Sequence, residues 1–295
     1  MKKLTARQAD LMLFFVAFFW GTGFSVTKAG LQYYTISQLL FLRFGIAAIV
    51  SIAVFRNKIR KITKSDLKAG LIMGVLLAFG YIFQTVGLEG TTTGNSAFLT
   101  SSSVVIVPFF FWIVTRKKPG RNNIISAVLM FAGIILLTVD FDNFGKFNKW
   151  DFLTFIGSIL FAWQLVATGI FAEDKDPAVI STLQIATSAV IFMVMTVVER
   201  KTVAFSVQGT LSMGYLSLVT TMLCFLMQTT GQKYTSTTHA AIILSLESVI
   251  GSIIGVIFLN EKYSSLTIVA YAVIFAAILA AELGFEWILK IQRSR

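Results

Sequence analysis

The sequence predicts an all-α membrane protein: ten transmembrane helices forming two inverted five-helix repeats. Three observations predict it. Apolar residues make up 56% of the 295-residue chain and charged residues only 13%, with a mean hydropathy of +0.80, whereas soluble domains carry about 25% charge. A chain this apolar cannot hide its surface from water, so lipid is part of its solvent. The apolar residues fall into ten runs, each long enough to cross about 30 Å of hydrocarbon at about 1.5 Å per residue. The third observation is that the chain matches itself when slid by 144 residues.

The spans follow one another with short links. The first covers 8–28; Met1-Lys2-Lys3 before it imitates a signal peptide, but no small-x-small cleavage site follows, so it reads as a retained helix. The second, 36–55, carries Arg43 and ends in the basic stretch Arg56 to Lys68. The third covers 68–88. The fourth, 94–115, follows Thr91-Thr92-Thr93, contains Ser101-Ser102-Ser103 and is expected to kink at Pro108. The fifth, 121–139, starts after Arg116, Lys117 and Lys118. The sixth to tenth cover 151–172, 178–198, 209–230, 236–259 and 265–289. No room remains for a soluble domain.

The charges orient the helices. Lys and Arg kept on the cytoplasmic side set topology. With the N-terminus in the cytoplasm, that side holds eighteen of the twenty-five basic residues, including Lys2, Lys3, Lys290, Arg293 and Arg295; Lys28, Lys146, Lys149, Arg200, Lys201 and Lys262 lie outside. Both termini are then cytoplasmic, in the inner (cytoplasmic) membrane of a bacterial-type cell. The net charge of +11 reads as topology rather than as a nucleic-acid surface.

In the self-match, Gln84-Thr85 falls on Gln228-Thr229, Gly87 on Gly231, Thr91 on Thr235, Ala97 on Ala241 and Ser101 on Ser245. Slid by 143, Phe18-Phe19-Trp20 falls on Phe161-Ala162-Trp163. The repeats are placed at 1–143 and 144–295. Five spans per repeat is an odd number, so the second repeat must sit upside down relative to the first. Inverted repeats are a frequent device of secondary transporters, because two such halves can exchange conformations around a midplane site.

Phe19-Trp20-Gly21, Leu42-Arg43-Phe44, Gln84 to Leu88 with the Thr-rich turn after it, and Leu244-Ser245-Leu246-Glu247 ahead of Asn260-Glu261 resemble the drug/metabolite transporter superfamily, EamA type. The resemblance covers nearly the whole chain and rests on order and spacing rather than on one motif. Ser248 stands where the family often has Pro, and Ala277 where it often has Gly, while Gly133 is kept. Members export or import amino acids, nucleotides, sugars and other metabolites, so the resemblance implies transport without naming the cargo. The function expected here is secondary transport of amino acids or related small metabolites, by export, through alternating access.

Few polar groups lie deep in these spans. Glu247 sits about ten residues into the ninth, near mid-bilayer, where a carboxylate faces a cavity or a partner. Arg43 must pair, line water or snorkel. A structural ion pair with Glu247 and capture of a zwitterion, guanidinium to carboxylate and Glu to amine, both fit. Trp20 and Trp163 are paired aromatics, read either as packing or as cavity wall. Tyr81 and Gln84 lie one turn apart, Gln228 mirrors Gln84, and Gln184 occupies the place of Arg43; deep amides also bridge helices. Ser103 and Ser245 could wet a pathway or permit close packing. His239, the only histidine, and Glu247 are the groups suited to proton coupling. Gly21, Gly23, Gly74, Gly80, Gly251 and Gly255 mark close helix approach.

The sequence has no Walker loop, no His/Cys/Asp set at metal-ligand spacing and no nucleophile with a base beside it. No cofactor or metal is expected. Cys224 is alone, so no intrachain disulfide can form. The partners expected are a small-molecule substrate and membrane lipids. Two other classes stay open: a scaffold subunit with a filled interior, and a lipid-modifying enzyme, which needs an Asp, His or Arg cluster at one membrane face.

Overall fold

The computed structural model describes residues 4–140, 146–203 and 206–283. Ten helices follow one another: α1 (Ala6–Gly30), α2 (Ile36–Val54), α3 (Lys64–Glu89), α4 (Thr93–Thr115), α5 (Arg121–Thr138), α6 (Lys149–Asp174), α7 (Pro177–Glu199), α8 (Val207–Gln232), α9 (Thr237–Leu259) and α10 (Ser265–Leu283). Among the described residues, nine are long and apolar enough to cross a bilayer unaided, and α10 holds a shorter apolar run, Ser265–Ala281. The expected repeat boundary at 143, the end of the tenth span at 289, and Lys2, Lys3, Lys290, Arg293 and Arg295 lie outside the described residues.

The helix ends follow side-chain caps rather than the limits of the apolar runs. The Thr63 hydroxyl accepts the Asp66 N–H while the Asp66 carboxylate accepts the Thr63 N–H. This reciprocal capping box starts α3 at Lys64, one turn before the expected position. Thr5 with Gln8 and Thr35 with Gln38 begin α1 and α2 in the same way. Asp176 caps α7, whose first residue is Pro177, where the missing N–H costs nothing. Two features were not expected: a one-turn helix at Arg56–Ile59, and a two-residue strand pair, β1 (Val139–Asp140) antiparallel to β2 (Lys146–Phe147), between the repeats.

Two helices are interrupted. The break in α4 falls at Ser102, not at Pro108, which lies inside the second segment, Ser103–Thr115. The Ser102 hydroxyl donates to the Leu99 carbonyl and meets the Ser158 hydroxyl at 3.0 Å. Such side-chain bonds compete with the helical ladder. In α8, residues Leu218–Leu223 form a π-helical turn.

Packing runs mainly between the repeats. α3 lies along α6 and α7, α1 along α9, α4 along α9, α2 against α7 and α5 against α10. The last three are pairs of repeat-equivalent helices, so the pseudo-twofold axis passes between them. α1 approaches α9 so closely that a Cβ built on Gly21 would stand 2.7 Å from Ile250 Cγ2. Buried apolar side chains form two main clusters. One includes Leu13, Val16, Leu99, Leu165 and Ile274; the other includes Leu39, Phe44, Leu77, Phe192 and Phe225. Trp20 packs against both.

Candidate functional site

Where the two clusters meet, an internal cavity of about 60 Å³ opens, lined by α1, α2, α3, α4, α6, α8 and α9. At roughly 10–15 Å³ per water it holds a handful of solvent molecules. Of the residues singled out in the sequence, Trp20, Arg43, Tyr81, Gln84, Ser103, Gln228, Ser245 and Glu247 all line it. The lining also obeys the repeat: Trp20 and Gln164, Tyr81 and Phe225, Gln84 and Gln228, Thr100 and Leu244, Ser101 and Ser245, and Ser103 and Glu247 are each 144 residues apart. The Ser101 hydroxyl donates to the Ser245 carbonyl at 3.3 Å, across the two repeats. The cavity is therefore symmetric in position and asymmetric in chemistry.

Arg43 is 4% exposed. Its Nε donates to Thr221 Oγ1 (2.7 Å) and its Nη2 to the Tyr81 hydroxyl (3.1 Å), with the guanidinium 4.6 Å from the centre of the Tyr81 ring. Charge-assisted bonds and cation–π contact hold it in one geometry. Glu247 is 7% exposed, and no hydrogen bond or ion pair joins its carboxylate to another described residue. The Arg43–Glu247 ion pair weighed from the sequence is thus not formed: the two groups face the same cavity separately.

The π turn of α8 supplies the partners on that wall. The Trp20 indole N–H donates to the Thr220 carbonyl at 2.9 Å, and Thr221, which receives Arg43, bonds back to the Leu216 carbonyl. π turns insert an extra residue and are frequent at functional sites. The amides serve the architecture as well. Gln84 Nε2 donates to Thr100 Oγ1 at 2.9 Å; Gln164 Nε2 donates to Thr168 and to Gln184, joining α6 to α7. Gln184, fully buried in this network, is not part of the cavity wall. The Gln228 side-chain oxygen is buried without a hydrogen-bond partner among the described residues.

Two more of the singled-out residues lie elsewhere. Trp163 stacks on Phe110, ring centres 4.3 Å apart, away from the cavity. Its neighbour Gln164 takes the lining place. The match that paired Trp20 with Trp163 used a shift of 143, and one residue on a helix is a rotation of about 100°. The shift of 144 that the rest of the repeat obeys brings Trp20 onto Gln164 and would have found it. His239 sits at the start of α9, its Nε2 3.3 Å from Asp10 Oδ1. Phe161, Thr100, Thr220 and Thr221 were not singled out; of these, only Thr100 carried a signal, lying one residue before the serine run.

The EamA-like transporter family matches this chain twice, over residues 7–139 and 148–281. An uncharacterized transporter of Archaeoglobus fulgidus is 28% identical over 274 residues, 92% of this chain and 84% of the relative. The uncharacterized transporter YyaM of Bacillus subtilis is 22% identical, over 83% of this chain and 84% of its own length. A solved crystal structure with 16% identity shares the fold, with a TM-score of 0.70 over 94% of this chain and 98% of its own. With both repeats matched, and ten helices packed about a cavity where they meet, the chain belongs to the EamA-like transporter family.

Proposed function

We propose that this transporter exports a small zwitterionic metabolite, of amino-acid type, by alternating access through the central cavity. The observation that carries the reading is the pair of separately held charges on the cavity wall. Arg43 is fixed by Thr221 and Tyr81, while Glu247 has no partner among the described residues. A buried ionisable group without a partner in a membrane domain marks a substrate or ion pathway. In this reading Arg43 receives the substrate carboxylate and Glu247 its amine, while the Gln228 oxygen takes a further donor. The rings of Trp20, Tyr81, Phe161 and Phe225 form the apolar wall. Glu247 is also the group placed to carry a proton, since His239 lies off the cavity.

The basic residues orient the molecule in the inner membrane. Lys58, Lys175 and Lys233 mark the cytoplasmic face, and Lys28 and Glu261 the outer face. Reconstitution into proteoliposomes, with efflux of pooled amino acids and related metabolites followed with and without a pH gradient, tests the proposal. Saturable efflux of a zwitterion, weakened at least tenfold in Glu247→Gln, is expected. Flux confined to neutral or anionic solutes, or unaffected by that substitution, sinks it.

A further inference from the structure

The two ends of the cavity are built from equivalent parts. α4 begins at Thr93 behind its cap Thr92, and α9 begins 144 residues later at Thr237 behind its cap Ser236. α4 ends at Arg116 and α9 at Asn260, both left-handed, with φ of 62° and 53°. The next residue in each loop is Lys117 and Glu261. The backbone thus presents the same position at both faces, and the side chains carry opposite charge.

Glu261 uses its position fully. Its carboxylate accepts the Thr93 N–H (2.8 Å), the Thr93 hydroxyl (2.8 Å) and the Gly94 N–H (3.4 Å), which are free donors of the first turn of α4. The Tyr263 hydroxyl donates to it at 2.8 Å, and Lys28 of α1 lies 3.6 Å away. The Lys28 ammonium also donates to the Thr91 carbonyl, and Thr91 in turn donates to Asp151 of α6. One carboxylate, 8% exposed, therefore ties α1, α4 and the α9–α10 loop together above the cavity, with α6 joined through Thr91. Burial opposes its ionisation, but the hydrogen bonds from Thr93 and Tyr263 and the charge of Lys28 outweigh it and hold its titration below the usual carboxylate range. Close approach is built in: a Cβ on Gly255 would stand 2.6 Å from Glu261 Oε2.

Among the described residues, no carboxylate caps the first turn of α9 at the other face as Glu261 caps that of α4. Lys117 is exposed, and a cation is repelled by a helix N-terminus. The pair that joins α9 to α1 there, His239 with Asp10, is solvent-reached, with side chains 42% and 37% exposed. The other ties, Lys58 with Asp176, the more buried Lys175 with Asp66 (3.3 Å, 14% and 18% exposed) and Lys233 with the Lys175 carbonyl, hold the α6–α7 loop to its neighbours and leave the first turn of α9 untouched. We propose that Glu261 is the positioning residue that latches the outer gate, and that without an equivalent latch at Lys117 the closed protein opens first toward the cytoplasm. The inference rests on the alternating-access reading and gives it a resting bias: the empty site opens first to the cytoplasm, the side from which an exporter loads.

The test uses a single cysteine at Ser103, on the cavity wall, in a Cys224→Ala background. A membrane-impermeant thiol reagent is applied to each face of sealed vesicles, with sidedness fixed by a separate exposed marker at Lys262→Cys. With Glu261 intact, labelling from the Lys175 face is expected to be at least tenfold faster than from the Glu261 face. Glu261→Gln raises the rate from the Glu261 face at least tenfold and lowers the opposite rate. Tyr263→Phe, which removes one donor and leaves the carboxylate, shifts both rates the same way by a few fold. A loss of packing alone raises both rates together, and that result overturns the latch. So do rates that neither substitution changes. Labelling from neither face in the protein with Glu261 intact sinks the alternating-access reading and the latch with it, whereas one-sided labelling indifferent to both substitutions sinks the latch alone.

Discussion

Alanine placed at Gly21 and at Gly23, two residues apart on α1, has opposite consequences. At Gly21 the new methyl would stand 2.7 Å from Ile250 Cγ2, 2.8 Å from Ile250 Cβ and 3.0 Å from the Glu247 carbonyl oxygen. Carbon contacts are comfortable at about 3.5–4.0 Å, so the overlap is roughly 1 Å. A new rotamer of Ile250 moves only Cγ2; Cβ is fixed by the α9 backbone and the Glu247 carbonyl is part of it, so the helices themselves must part. Overpacking of this kind costs about 1–3 kcal/mol, against a helix-propensity gain of about 1 kcal/mol for replacing glycine. At Gly23 the nearest atom is Thr220 Cγ2 at 3.5 Å, an ordinary contact, so only the gain remains. Thermal unfolding of purified protein in detergent reads both. At about 2 °C per kcal/mol for a chain of this size, Gly23→Ala is expected to raise Tm by about 2 °C and Gly21→Ala, at a net cost of about 0–2 kcal/mol, to lower it by up to about 4 °C. A Tm for Gly21→Ala equal to or above that of Gly23→Ala refutes the close approach of α1 to α9.

Three further outcomes follow from the site. Trp20→Phe removes the indole donor to the Thr220 carbonyl and is expected to cost about 1–3 kcal/mol; an unchanged Tm shows that bond to be dispensable. Trp163→Leu loses the stack on Phe110 and lowers Tm, while the KM for transport stays within about twofold; a large KM change places Trp163 at the substrate after all. Because Glu261 titrates below its ordinary range in the folded protein, its contribution is fully present above the unfolded value of about 4.3 and is lost as pH falls through the lowered one. Acid unfolding profiles of the parent and Glu261→Gln should therefore converge toward low pH and stay parallel near neutrality; profiles that diverge on acidification contradict the sign.

The spans were legible because about twenty apolar residues in a row have few alternatives. Their ends were not, because Thr63 with Asp66 and Thr5 with Gln8 carry helices into the polar zone by capping rather than by hydropathy. Most of the cavity wall was legible too, from deep polar residues and repeat matches. The Trp163 assignment shows how narrow that margin is, since a slip of one residue turns a wall residue outward. The π turn had no signal: Leu218–Leu223 reads as any apolar stretch with two threonines, and its role emerges only where Trp20 and Arg43 reach it. Nor could the sequence alone show what Glu261 touches, because its partners are 168 residues away in α4.

A duplicated fold supplies equivalent positions, and function requires that they not be filled equivalently. If both repeats were identical, the two faces of the membrane would be indistinguishable to the protein and the occluded state would open either way alike. Here Ser103 faces Glu247 across the pseudo-twofold axis, Phe225 faces Tyr81, and Lys117 stands where the other face has Glu261. On the proposed reading the first two pairs polarise the cavity, so that a bound molecule would have one preferred orientation. The third distinguishes the gates. Exchanging the residues of a central pair should change what is bound with little effect on which face opens, and exchanging those of the gate pair should do the reverse. Substrate choice and direction of opening would then be separable properties of one symmetric scaffold.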